Sequence, residues 1–142
     1  MPASHPHQTE ARRARKIVIV LVALLVAGTQ LSTGPSYRGP FRWFITGYAM
    51  DILLPFSSYF LLLAAAETLT MLRHWWIKVS VVFAVMSCAE VAQYLGVPIF
   101  GQTFDPWDLV AYIGGALMAA ATDQILLPCL FDFWRHGTST EP

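Results

Sequence analysis

Four apolar runs, each near the length of a membrane-crossing helix, leave this chain few folds to choose from. A helix needs about 20 mostly apolar residues to span the hydrocarbon layer of a bilayer. The runs cover residues 17–32, beginning "IVIVLVALLV"; 52–72, "ILLPFSSYFLLLAAAETLTML"; 77–97; and 108–130. An aromatic-rich stretch, "FRWFITGYAMD", leads into the second. Only 13% of the 142 residues are charged, whereas soluble domains carry about 25%. Lipid is the natural solvent for such a chain. The expected fold is therefore all-α: a polytopic membrane protein, a bundle of four transmembrane helices spanning residues 17–131. Residues 1–16 read as a disordered basic tail and 132–142 as a second tail, with a one-domain length. The zero net charge gives no argument for nucleic acid.

Orientation follows from the basic residues, which concentrate on the cytoplasmic side of membrane proteins. With the N-terminus inside, Arg12, Arg13, Arg15, Lys16, Arg73, Lys78 and Arg135 are all cytoplasmic, and only Arg38 and Arg42 face out. Both termini are then cytoplasmic, in a multi-pass cell-membrane protein. A competing reading makes the first run a cleaved signal peptide, with "ARRARK" as its basic n-region.

Acids are scarce, and their placement is uneven. Asp51, Glu90, Asp105 and Asp108 fall at the outer end of the expected bundle. Glu90 lies roughly 9 Å below the outer end of the third run, at 1.5 Å per residue. Glu67 and Asp123 form an inner acidic layer near the cytoplasmic ends of the second and fourth. Ionisable groups at membrane depth are costly and mark candidate functional sites. Asp105 and Asp108, in "DPWD", also have the chemistry of helix caps; Glu90 has no such role open to it.

Spacing adds to this. Glu90 and Gln93 share a helix face, and Ser80, Ser87, Glu90 and Tyr94 form a polar stripe that must turn toward protein or water. On the fourth run Asp108, Tyr112, Gly115, Ala119 and Thr122 recur at helical spacing, a stripe suited to close packing. The simplest arrangement sets these two stripes against each other. The expected site is thus an outward-opening pocket of Glu90, Gln93, Asp105, Asp108 and Tyr112, with Asp51 at its mouth. Arg38 or Arg42 would be its charge partner, since a guanidinium suits carboxylate and phosphate alike.

Other chemistries find little footing. The histidines, His5, His7, His74 and His136, fall in the tails or the inner turn, so no metal site is expected at the acids. No Gly-rich phosphate loop is present, and no Ser or Cys has a neighbouring His to serve as its base. No motif indicates a cofactor. Cys88 and Cys129 lie at different depths, which argues against a disulfide, and both read as small packing residues.

The stretch "EVAQ…FDPWDLVAYIGGALMA" resembles the end of a VanZ-like membrane protein. That family carries E-x-x-Q on one helix and D-x-x-x-N-x-x-G on the next. Glu90 and Gln93 match the first, and Asp108 and Gly115 the second, with Tyr112 at the Asn position. The resemblance implies a small multi-helix protein of the cell envelope, with membrane lipids as partners and no settled reaction. Three functions stay open: binding or modifying an envelope lipid or its headgroup at the acidic pocket; a small carrier or proton-coupled permease component; and an accessory subunit of a larger membrane complex without its own chemistry. The carrier reading requires a homo-oligomer, because four helices are few for a solitary carrier.

Overall fold

The structure is a computed structural model that describes residues 6–32, 37–97 and 105–135, and every regular element among them is helical. Helix α1 spans Pro6–Ser32, α2 Arg42–Gly47, α3 Ala49–Ala65 and α4 Trp75–Tyr94. Helix α5 spans Pro106–Ala121 and continues through a π-helical turn, Thr122–Leu126, into α6, Leu127–Leu130; α7 is Asp132–Arg135.

Several boundaries depart from the sequence expectation. Helix α1 starts at Pro6, so residues 6–16 are helical and not a disordered tail. "EARRARK" is rich in strong helix formers, and two of its cations are held: Lys16 Nζ lies 3.0 Å from Glu67 Oε2, and Arg15 reaches Asp123 at 4.0 Å. The run 52–72 is not one helix. It stops at Ala65, where the backbone N–H groups of Thr68 and Leu69 and the Thr68 hydroxyl all converge on the Ala65 carbonyl. A 3₁₀ turn over Thr70–Arg73 then leads into α4. The expected C-terminal tail is also structured as far as residue 135, because Trp134 is fully buried. Residues 1–5 and 136–142 lie outside the described residues.

The helix ends that position the site are explicit in sequence. Helix α4 closes on Gly96, which has φ 83°, a conformation open to Gly at little cost. The Gly96 N–H donates to the Gln93 carbonyl, and Val97 N–H to the Ala92 carbonyl, which is a Schellman C-cap. Asp105 caps α5: its side chain accepts from Trp107 N–H at 3.0 Å, with Pro106 in the first turn. Within α3, Pro55 lacks an N–H and leaves the Asp51 carbonyl without its usual donor.

Helix α3 is the hub and packs on α1, α4 and α5, while α5 also packs on α4 and α7 on α1. Gly115 makes the α3–α5 approach possible: a Cβ there would collide with the backbone carbonyl of Ile52. The small residues beside it, Ala116, Ala119 and Ala120, are all buried. They join Tyr59, Phe60 and Leu63 of α3, Val79 and Val82 of α4, Ile19 of α1 and Trp134 in one core.

Two helical segments, Trp75–Tyr94 and Pro106–Leu130, are long and apolar enough to cross a membrane; α3 is apolar but shorter, at 17 residues. Little of either segment is buried within the protein. Leu21, Leu25, Val85, Val110 and Ile125 are all more than half exposed.

Candidate functional site

Polar side chains gather at the two ends of the helix bundle and differ sharply in how well they are paired. At the first end, Asp51 opens α3, Glu90 lies in the last turns of α4, and Asp105 and Asp108 open α5. Asp51 is within electrostatic reach of Asp108, Glu90 and Asp105, and Asp108 within reach of Glu90 and Asp105. Glu90 is only 2% exposed. The Tyr112 hydroxyl donates to Glu90 Oε1 at 2.6 Å, a short and fully buried hydrogen bond between α5 and α4. Glu90 Oε2 is buried with no hydrogen-bond partner among the described residues, and so is Ser87 Oγ, one turn earlier on α4.

The electrostatics of this end favour a cation. Asp51, Asp105 and Asp108 stand at helix N-termini, where the helix dipole offsets part of their charge. Glu90 stands near a helix C-terminus, where the dipole is adverse. A buried charged group is tolerated when paired and hydrogen-bonded, and Glu90 has one phenol for two oxygens.

The expected pocket residues are distributed as follows. Glu90 and Tyr112 meet directly, with Asp108 and Asp51 close by. Asp105 is the α5 cap, a role open to it and to Asp108 in the sequence. Gln93 is half-buried on α4, and its side chain has no hydrogen bond among the described residues. Arg38 and Arg42 are both exposed, and the acids Asp108, Glu90 and Asp105 act on Asp51. The polar stripe on α4 does not face inward as a unit. Ser80 is exposed and Tyr94 is 72% exposed, whereas Lys78, Val79, Val82 and Glu90 are buried. The α4 and α5 stripes therefore do not face each other along their length. Gly115 turns to α3 and Tyr112 to α4.

At the second end Asp123 is completely buried and richly paired. Its Oδ2 accepts from the Tyr59 hydroxyl at 2.9 Å, Lys78 Nζ at 3.3 Å and Gln124 Nε2 at 2.9 Å. Its Oδ1 accepts from Trp134 Nε1 at 3.0 Å, with Arg15 at 4.0 Å. Lys78 also lies over the Tyr59 ring and Arg15 over the Trp134 ring, at 4.8 and 4.7 Å. Asp123 sits in the π-helical turn, whose extra residue re-aims side chains on an otherwise regular helix. Glu67, the other member of the expected inner layer, is exposed and pairs with Lys16; the two acids have separate cations.

Sequence reasoning missed Lys78, Tyr59, Trp134 and Arg15 as partners of Asp123. Lys78 carried a signal: it lies inside the third apolar run, where an ionisable group calls for a partner. Among the described residues no group of three or more His, Cys, Asp and Glu side chains is arranged to hold a metal ion. Cys88 and Cys129 are free and exposed, facing outward instead of packing. Comparison of the chain with protein-family models, curated proteins and solved structures finds no match.

Proposed function

We propose that this is a four-span integral membrane protein of the cell envelope, with both termini cytoplasmic, whose outward carboxylate end binds an amine-bearing lipid headgroup. The observation that carries the proposal is the buried, unpartnered Glu90 Oε2, set among Asp51 and Asp108. An ammonium donates several hydrogen bonds and accepts none. It matches an end that offers carboxylate oxygens and, one turn along α4, the Ser87 hydroxyl. Four spans are supported by the seven-to-two distribution of basic residues and by the outward apolar surface of α1, α4 and α5. The likeness of "EVAQ" and "DLVAYIGG" to VanZ-like proteins supports the envelope setting.

Glu90 turned to the chain's own core favours this reading over that of an accessory subunit, for which the acids would line the bundle surface. A relay through the inner acids has less support, because five side chains hold Asp123 and Lys16 holds Glu67.

Thermal unfolding of the detergent-solubilised protein, with and without phosphoethanolamine, tests the proposal. Stabilisation by phosphoethanolamine but not by inorganic phosphate is the expected result. Glu90→Gln and Asp108→Asn should each reduce it at least several-fold. Equal response to both ligands, or full response in both variants, would reject the site.

A further inference from the structure

Glu90 Oε2 and Ser87 Oγ are the two buried side-chain oxygens that have no hydrogen-bond partner among the described residues. They stand three residues apart on α4, so they share one helix face with Cβ atoms about 5–6 Å apart. Tyr112 adds a third oxygen from α5. Its hydroxyl hydrogen goes to Glu90 Oε1 at 2.6 Å, which leaves the lone pairs of the phenol oxygen able to take a ligand. Two packed helices thus bring oxygen ligands of three kinds to Glu90: carboxylate, alcohol and phenol. The charge there is also unmatched. The three ion pairs among the described residues all lie at the opposite end, on Asp123 and Glu67, and Glu90 is in none of them.

We propose that Glu90 Oε2, Ser87 Oγ and Tyr112 Oη hold a sodium ion beneath the mouth formed by Asp51 and Asp108. The ion site rests on the reading of this end as a cation site and adds an inorganic competitor for the headgroup ammonium, since both call on the same Glu90 oxygen. Depth favours a small ion. Asp51 and Asp108 are half-buried, whereas Glu90 is only 2% exposed. Ser87 lies about 4.5 Å further along α4 from the helix end, at 1.5 Å per residue. A headgroup ammonium is tethered to its phosphate and meets the mouth first; a bare ion can follow the carboxylate inward. Charge favours a monovalent ion. A divalent one would leave excess positive charge beside a single buried carboxylate, and among the described residues no three His, Cys, Asp or Glu side chains are arranged to share a metal ion. Ligand chemistry agrees, because hard cations take oxygen ligands. A water molecule in the same place would satisfy hydrogen bonds but leave the carboxylate charge unpaired.

The test is equilibrium binding of radioactive sodium to the detergent-solubilised protein, in amine-free buffer with ionic strength held by choline chloride. Wild type should bind one sodium ion per chain, and phosphoethanolamine should displace it. Ser87→Ala should weaken sodium binding several-fold, and Ser87→Thr, which keeps the hydroxyl, should retain it. Glu90→Gln should abolish it. Asp108→Asn, which weakens the headgroup site at the mouth, should keep most of it. Absence of saturable sodium binding in wild type overturns the ion site and leaves a shared water between Ser87 and Glu90; stabilisation by phosphoethanolamine then still upholds the headgroup site. Equal sodium binding by wild type and Glu90→Gln, or by wild type and Ser87→Ala, puts the ion elsewhere and also overturns it. Sodium binding with no response to phosphoethanolamine upholds the ion site and overturns the headgroup reading.

Discussion

Lys78 and Asp123 form a fully buried ion pair, Nζ to Oδ2 at 3.3 Å with side chains 1% and 0% exposed, joining α4 to the π-helical turn after α5. The pair is asymmetric. Asp123 keeps four other partners if Lys78 is lost, whereas among the described residues Lys78 has only the Tyr59 ring face if Asp123 is lost. Removing one member of a buried pair typically costs about 3–5 kcal/mol, because the other is left uncompensated.

Asp123→Leu should therefore destabilise the protein by about the upper end of that range, and Lys78→Met by clearly less. The double variant should recover part of the Asp123→Leu loss. Equilibrium unfolding in mixed micelles measures all three. Equal losses in the two single variants would show that the other donors to Asp123 carry no weight.

Gly115→Ala should destabilise the protein by about 1–3 kcal/mol, the usual range for overpacking, because its Cβ meets the rigid Ile52 backbone. Gly114→Ala should be neutral or stabilising, by up to about 1 kcal/mol from helix propensity. Thermal midpoints of the two single variants decide it, and the reverse order would mean that α3 and α5 do not touch at Gly115.

Tyr112→Phe removes the donor to Glu90 Oε1 and leaves both carboxylate oxygens buried without a partner among the described residues. A buried polar group stripped of its partner costs about 1–3 kcal/mol. The loss should be largely absent in a Glu90→Leu background, because the group left unpaired is then gone. A double-mutant cycle reads the coupling, and additivity of the two changes would deny the hydrogen bond any energetic role.

Topology is tested by accessibility. After replacement of the exposed Cys88 and Cys129, a membrane-impermeant thiol reagent applied to intact cells should label Gln102→Cys and spare Thr138→Cys. The opposite pattern would invert the orientation.

Lys16 and Glu67 form an exposed pair, with side chains 60% and 34% accessible. Such pairs contribute roughly 0–1 kcal/mol. Lys16→Ala should thus shift the unfolding midpoint little, against the large effect at Asp123, and a comparable effect would place the weight of α1 docking at Lys16.

The helical class and the gathering of Asp51, Glu90, Asp105 and Asp108 at one end are legible in the sequence, because apolar run lengths and alternating chain direction dictate both. So is the Asp105 cap, since it acts within a few residues, whereas the third run reads through to residue 97, past the Gly96 C-cap. What the tertiary structure alone decided is the rotation of each helix and the identity of distant partners. A helix that is apolar nearly all round has no single hydrophobic face to fix its rotation, so periodicity on α4 favoured Ser80 and Tyr94, which are exposed. The rotation is set instead by polar pairs from far along the chain. Lys78 to Asp123 spans 45 residues, Tyr59 to Asp123 spans 64 and Tyr112 to Glu90 spans 22. No local pattern specifies which of two neighbouring glycines meets Ile52. That choice follows from the angle at which α3 crosses α5, and the crossing exists only once the helices are packed.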